Sequence, residues 1–595
     1  MPVPFNRINF GSAAAENEVE LDRNLLLEGY LDLHSAFEGC LNAQNFLVLG
    51  RKGSGKSALG QHLLLTAATR KVSARVVDLS DLPFSDFPGL LREKETSQTG
   101  YASIWRFHLL LQLLDSVRTE AGARVPDPLG SIILALEAVG ALPAPTLPSA
   151  IHQSRAFSDG LSARIPDAHV HLSLYDLVQR MSAALASVDT KTRHILVVDG
   201  LDEVLDPTAE DFVVLNALIK AASTLNRSLS EEAKRLARSP AKIIVLCRTD
   251  LFERFPGANT AKYLEDSSVE LTWFDRTMEP AKSQLVKLLN QKARVSDPSI
   301  VDVVTTYFPP KMDQGRPTIQ MLLDNTRHTP RDFLRIFRHI KKFDDSTRGE
   351  RLSYQAIRQG LRSYSRWFTS EVRNELSGYA PEEEINEVIN LLRRQGKANF
   401  YMADLEEFQR RDDSTLDALP LMNRLFECGA VGMIERDKTY QNGSPRVSFK
   451  FRNPTATFNA AAQVSLNHGW RRDLSTPYEN FDGAPPRTHT PRDKPTRRRR
   501  TIRVAGQEQL FEITDPTMLS SPDSSKSDGQ ADAEAGFVPT GTDRSPKDAV
   551  LPVAEPTRLA PPRGRRGGRK ATRMQGPPLT PAPHEPTTPA GSVDS

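Results

Sequence analysis

Asn45-Phe-Leu-Val-Leu-Gly-Arg-Lys-Gly-Ser-Gly-Lys-Ser-Ala-Leu59 is the stretch from which the rest of this 595-residue chain is read. Phe46 to Leu49 form a short apolar run, the pattern of a strand buried on both faces of a parallel sheet. The run passes into Gly50-x-x-x-x-Gly55-Lys56-Ser57, and then into Ala58, Leu59, His62, Leu63 and Leu64 at helical spacing. Strand, loop and helix in that order make this a Walker A motif. Its glycines allow a tight turn, so that loop N–H groups and the helix N-terminus face phosphate oxygens. Lys56 is expected to reach the β- and γ-phosphates, and the Ser57 hydroxyl to take one position on Mg²⁺. The residues set against a nucleotide are Gly50, Arg51, Lys52, Gly53, Ser54, Gly55, Lys56, Ser57 and Ala58.

Such a site also needs a carboxylate for the metal and a group that orients water. His194-Ile-Leu-Val-Val-Asp-Gly-Leu-Asp-Glu-Val-Leu205 offers both. Ile195 to Val198 read as a second buried strand, and Asp199 stands at its end, where a Walker B aspartate belongs. Gly200 leaves room beside the metal. Asp202 and Glu203 follow in the loop, and either could orient the attacking water. The competing reading is a helix N-terminus that carries acids for the dipole alone.

Gly50-Arg-Lys-Gly-Ser-Gly-Lys-Ser57 together with Val197-Val-Asp-Gly-Leu-Asp-Glu203 resembles the STAND/NACHT and KAP branches of P-loop ATPases, relatives of the AAA+ proteins. In particular it is similar to a bacterial group whose Walker A has this same wording through Ala58. The resemblance spans roughly residues 20–470, with its specific motifs in about thirty of them. It implies an ATP-hydrolysing, Mg²⁺-dependent switch or motor in bacterial defence, signalling or DNA transactions. It also implies a parallel sheet in which other strands join those of Walker A and Walker B. Ala74–Leu79, Lys242–Asp250 and Val269–Trp273 fit such strands, in an order the sequence leaves open. At the tip of the Lys242–Asp250 strand, Arg248 and Thr249 are the sensor candidates, against the plain reading of a solvated strand end.

The helix of His328-Thr-Pro-Arg-Asp-Phe-Leu-Arg-Ile-Phe-Arg-His-Ile-Lys-Lys342 is expected to be capped by Thr329, with Pro330 in its first position. Its Pro-Arg start resembles the lid helix of AAA+ and KAP ATPases, which implies that Arg331 senses the γ-phosphate. Phe333, Phe337 and Ile340 share an apolar face, and Arg331, Arg335, Arg338 and Lys342 a basic one. The basic face is either solvated or a contact for nucleic-acid phosphates.

The expected fold class is α/β: a parallel-sheet P-loop NTPase core with a helical insertion, a helical lid, a C-terminal winged-helix-like domain and a disordered tail. The expected boundaries are 1–44 for a helical lead-in, 45–275 for the core, 276–375 for the lid, 376–470 for the winged-helix-like domain and 471–595 for the tail. The insertion falls at about 85–190, with helices over Ala102–Val117 and Leu172–Val188. They form either a subdomain beside the nucleotide or padding for the sheet. Helices at Glu382–Arg394, Ala403–Arg411 and about Leu419–Cys428 precede a hairpin of Ala430–Arg436 and Arg446–Phe451. The third helix offers only Asn423 and Arg424 to a base edge, so a structural or regulatory role is expected for this domain.

Composition separates two materials. Residues 471–595 hold 19 of the 42 prolines and only four of the 41 aromatics, too little apolar surface to offset the entropy of ordering. The overall charge of +3 excludes a nucleic-acid-packaging protein and an acidic buffer. It divides into about −1 for 1–470 and +4 for the tail, whose Arg497–Arg500 and Arg563–Lys570 blocks suit DNA or RNA phosphates or a solubilising tether. Thr501–Val504 and Leu510–Ile513 could be a short docking strand or a peptide motif. Three distant cysteines, no long apolar run and no signal-like N-terminus lead us to expect a cytoplasmic protein without a membrane span. Partners expected besides ATP are nucleic acid and further copies of the chain, with an arginine finger from a neighbour. The rival functions are a DNA-acting ATPase and a non-hydrolysing, nucleotide-gated scaffold.

Overall fold

A computed structural model describes residues 2–42, 44–80, 97–120, 123–125, 127–146, 174–201, 209–236, 240–255, 260–312, 315–436, 445–475, 500–504 and 507–511. The chain divides into two units, Met1–Arg492 and Asp493–Ser595.

The core of the first unit is a sheet of five strands: β1 (Leu47–Gly50), β2 (Val72–Asp78), β3 (Arg193–Asp199), β4 (Ala241–Arg248) and β5 (Ser268–Glu270). Their order is β2-β3-β4-β1-β5, and every neighbouring pair is parallel. Successive side chains of a strand point to opposite faces, and here both faces are covered. Val48, Ile195, Val197, Ile244 and Leu246 join the core beneath the Walker A helix Lys56–Thr66. Leu47, Leu49, Leu196, Val198, Val245 and Cys247 join a second core on the other side. Continuous apolar runs, rather than alternation, are what two covered faces require. The fold is α/β and of the P-loop NTPase type, with the Walker A strand next to β4 instead of β3.

The second core includes helices from the long interval before Asp199 and one after it. Helices Ser97–Arg118, Leu174–Ala186 and Ala209–Leu236 pack on one another and on this sheet face. The Trp105 indole donates to the Val214 carbonyl at 3.0 Å within that layer. The described helices of the expected insertion thus pack on the sheet face. Residues 81–96 and 147–173 of the same interval lie outside the described residues.

Helices Gln284–Ser296, Val303–Tyr307, Thr318–Asp324, Pro330–Lys341 and Tyr354–Leu376 follow the sheet. Thr329 caps the fourth of these by accepting from the Asp332 N–H, with Pro330 in the first turn. The expected lead-in is helical at Ala15–Leu21, Arg23–Leu27 and Ala36–Asn42, but it begins with an apolar strap. Phe5, Ile8 and Phe10 are buried. Phe5 packs on Tyr307 and Phe308, and Phe10 on Phe337.

Beyond Leu376 come three helices, Glu382–Gln395, Met402–Arg411 and Ala418–Glu427, within a residue or so of expectation. The expected two-stranded hairpin is instead part of a four-stranded antiparallel sheet. Val431–Arg436 lies between Pro445–Ser448 and Gln463–Leu466, and Asn399–Phe400 forms the far edge. The added strands have two and four residues, too few for period-2 alternation to stand out. The boundary at 470 also moves. Trp470, Arg471 and Leu474 are buried, and the Trp470 indole donates to Thr369 Oγ1 at 3.0 Å. In the second unit, within the tail expected to be disordered apart from a docking strand or peptide motif at Thr501–Val504 and Leu510–Ile513, Arg500–Val504 and Gln507–Phe511 pair as an antiparallel hairpin. β-branched Thr501, Ile502 and Val504 give the first of these strands its propensity.

Candidate nucleotide site

The Walker A loop turns at two glycines in left-handed backbone, Gly53 at φ +78° and Gly55 at φ +100°. A Cβ at Gly53 would also come within 2.8 Å of Arg331 Cβ. Glycine is thus required there twice, by conformation and by contact. Lys56 is buried, and its ammonium folds back to donate to the carbonyls of Gly50 at 3.1 Å and Arg51 at 3.4 Å.

In front of the loop opens a cleft of about 800 Å³, lined by Lys52, Gly53, Ser54, Gly55, Lys56, Ser57, Ala58, Asp199, Gly200 and Arg331. The adjacent parallel strands β2 and β3 end in register at Asp78 and Asp199. Both carboxylates lie at the cleft, so an oxygen-donor set of Ser57, Asp78 and Asp199 surrounds one space. A Cβ on Gly200, at φ +88°, would stand 2.0 Å from Asp78 Oδ1. The expected room at Gly200 is therefore room for the second carboxylate. Asp78 was missed, although Val76-Val-Asp78 repeats Val197-Val-Asp199 and could have revealed it. Asp202 and Glu203 lie outside the described residues.

Arg331 approaches the loop from the opposite wall. Its backbone N–H donates to the Gly53 carbonyl at 3.3 Å. Its guanidinium Nη1 lies 3.4 Å from Glu371 Oε1, and Lys52 Nζ lies 3.8 Å from the same oxygen. Glu371, which sequence reading did not single out, thus engages both Lys52 of the phosphate loop and Arg331. The N-terminal lead-in closes the cleft with Leu26, Tyr30 and Leu31, and the facing helices with Leu288 and Leu334. A buried Lys292–Glu18 ion pair lies in the same wall.

Arg51 and Arg248 are elsewhere. They line a cavity of about 70 Å³ behind the loop, between the sheet edge and the C-terminal helices. Arg51 Nη2 donates to the Glu427 carbonyl at 2.7 Å, while its buried Nη1 has no hydrogen-bond partner among the described residues. Burial, followed by the charge of Arg327, pushes the Arg51 pKa down. Arg248 pairs with Asp250 at 2.7 Å and Glu375 at 3.4 Å. Burial raises the Asp250 carboxyl, but Arg248, Arg424 and Arg51 outweigh it and hold the group well below its usual range. Glu375 is likewise raised by burial and held down by Arg248, Arg327 and Lys52. Thr249 reaches Glu270 Oε1 at 3.1 Å and also borders this rear space.

A family described as the FunZ-associated C-terminal helical domain matches residues 283–373, which hold the helices carrying Arg331 and Glu371. No curated protein matches the chain. Among solved structures, the Orc1 protein of Aeropyrum pernix in complex with DNA is 14% identical, with a TM-score of 0.33 over 76% of this chain and 96% of that one. Cdc6p from Pyrobaculum aerophilum is 12% identical, with a TM-score of 0.27 over 76% and 92%. At these scores the likeness carries no argument, and the fold rests on the strand order and the phosphate loop.

Proposed function

We propose that the chain binds ATP with Mg²⁺ in the front cleft and hydrolyses it, as a switch or motor of the STAND/KAP-like kind. What carries this reading is the meeting of Ser57, Asp78, Asp199 and Arg331 at one cleft around the left-handed glycines of the loop. Loop N–H groups cradle the phosphates, and Lys56 leaves the Gly50 and Arg51 carbonyls for them. Ser57, Asp78 and Asp199 are hard oxygen donors that fit Mg²⁺. When bound, the ion supplies neutralisation of phosphate charge. Asp202 or Glu203 orients the attacking water, and Arg331 faces the γ-phosphate once it parts from Glu371. Arg248 senses from the tip of β4 only if it releases Asp250 and Glu375. Leu26, Tyr30, Leu31, Leu288 and Leu334 form the apolar wall that takes the base. The three C-terminal helices with their sheet act as a winged-helix-like regulatory module, joined to the loop through Arg51 and Glu427.

Nucleotide titration with Mg²⁺ and a phosphate-release assay test this. Lys56→Ala should abolish binding, while Glu203→Gln or Asp202→Asn should keep binding and slow turnover. A purified protein that neither binds nor hydrolyses ATP sinks the reading. A DNA-acting ATPase is the second reading, favoured by the positive charge gathered in 327–373. Hydrolysis stimulated by DNA supports it.

A further inference from the structure

Residues 327–373 contain twelve Lys and Arg against five Asp and Glu, a net of +7, while the remainder of 1–470 sums to −8. A segment this basic within an acidic body needs a reason. The structure engages three of the five acids, while Asp345 and Glu350 stay exposed. Asp332 is buried against Arg327, Glu371 is buried at the phosphate loop, and Asp344 accepts from the Asn6 amide of the N-terminal strap.

Arg327 and Arg331 are taken up by these acids, but other arginines of the segment face outward. On Tyr354–Leu376, Arg358, Arg362 and Arg366 are exposed and fall at four-residue intervals, one stripe on one helix. Arg335 and Arg338 are half-buried and Lys342 exposed, in a row along the neighbouring helix Pro330–Lys341 and its C-cap. The two helices are held in close contact. A Cβ on Gly360 would lie 2.5 Å from Ile340 Cα, and His339 Nδ1 is 2.8 Å from Ser363 Oγ. Arg335 stacks its guanidinium 4.7 Å from the centroid of Trp367, the residue after Arg366. Its buried Nε has no hydrogen-bond partner among the described residues. Burial and the neighbouring Arg335 both weigh against charge on Arg338, so an added anion would relieve the pair.

We infer that the paired helices 330–342 and 354–376 form a sequence-independent binding face for the phosphate backbone of nucleic acid, with Arg362 and Arg366 as its outer contacts. The stripe of three arginines spans roughly 12 Å, at about 1.5 Å per helical residue. One strand of a duplex offers a phosphate about every 3.4 Å, so several phosphates fall within reach. Five of the six cations are arginines, whose planar forks suit phosphate oxygens. The exposed large apolar residues of these helices and the turn between them are two: Phe343, next to Lys342, and Tyr354, four residues before Arg358 at the end of the stripe. A protein partner would call for an apolar centre and a membrane for inserted apolar side chains, whereas a polar, strongly positive face is what nucleic acid meets.

The test uses the full chain without nucleotide, so that its result stands apart from the fate of the ATPase reading. Binding of labelled 30-mer DNA, duplex and single-stranded, is measured by anisotropy between 50 and 200 mM salt. Arg362→Gln with Arg366→Gln should weaken binding and lower the log–log salt slope by about 2. Replacing Arg497–Arg500 by Gln controls for the tail and should leave that difference in place. The inference is overturned if the wild type has no affinity at 50 mM salt, if the paired variant keeps affinity and slope, or if only the tail substitution has an effect. Because both arginines are exposed, an unchanged thermal melt verifies that the variant is folded.

Discussion

In front of the phosphate loop, Lys52, Ser57, Asp78, Asp199 and Arg331 stand around a cleft of about 800 Å³. Behind it, Arg51, Arg248, Arg327 and Arg424 crowd with Asp250 and Glu375 around a space of about 70 Å³. Both sides are dense in charge, yet the charges are used differently. Behind the loop most of them compensate one another: Arg327 pairs with Asp332 at 2.7 Å and Glu375 at 3.7 Å, and Arg424 with Asp250 at 3.5 Å, while Arg51 donates to a carbonyl instead. In front, Glu371 alone engages two cations from the edge of a space large enough for a nucleotide. Density of charge therefore does not mark a ligand site. What marks it is charge bordering open volume.

The sharpest way to break this comparison is to remove a charge from the rear. Arg327→Met leaves Asp332 buried without its guanidinium partner and Glu375 with Arg248 alone, a change that costs about 3–5 kcal/mol. Urea unfolding of the first unit should show a loss of that size. A loss under 1 kcal/mol would mean the rear ion pairs are as weak as exposed ones. Next in size is acid sensitivity. Asp250 and Glu375 titrate below their usual range in the fold, so their contribution is present in full above the ordinary carboxylate range near pH 4. As pH falls, the unfolded chain takes up protons before the folded chain does, and stability drops. Melting temperatures between pH 6 and pH 3 should fall less steeply for a variant carrying both Asp250→Asn and Glu375→Gln.

These contrasts were not readable from the sequence, and the reason is physical. Arg248 meets Glu375 across 127 residues, and Arg51 meets the Glu427 carbonyl across 376. Pairings of that kind leave no local periodicity. The same holds for Phe5, Ile8 and Phe10, which have no repeat to betray them and acquire meaning only against Tyr307, Phe308 and Phe337. The front of the site was more legible because its parts are local. The loop glycines, the apolar strands running into Gly50 and Asp199, and the Thr329 cap each depend on neighbours within a few residues. Asp78 falls between the cases: its strand was recognised, but its standing beside Asp199 required the strand order.

A smaller effect is expected where the two sides touch. Arg51 belongs to the loop, yet its side chain is held at the rear by one carbonyl and lies 5.8 Å from the centroid of Phe451. Replacing a buried, incompletely bonded guanidinium with an apolar residue of similar length should cost about 1 kcal/mol or less, and could even stabilise. Arg51→Met should therefore fold normally. If the C-terminal module reports on the loop through this side chain, the variant should retain ATP binding while losing any nucleotide-dependent protection of residues 418–436 in hydrogen exchange.

The smallest expected effect probes the front alone. Glu371 is buried and lies within 4 Å of both Lys52 and Arg331, so a phosphate entering the cleft competes with it for the same cations. Glu371→Gln keeps the side-chain shape and removes the competing charge. Lys52 is partly exposed, and its separation of 3.8 Å makes that half of the pairing weak. The gain on removal should be about 0.5–1 kcal/mol, in line with a half-exposed ion pair. That corresponds to ATP binding about two- to fivefold tighter, by the relation of 1.4 kcal/mol to a factor of ten. AMP does not reach the far phosphate positions and should gain less, which separates competition at the phosphates from a general loosening of the cleft. Equal gains for ATP and AMP would show that Glu371 shapes the wall rather than holding Arg331 in reserve. Unchanged affinity for both would place Glu371 with the compensated charges behind the loop, despite its position in front.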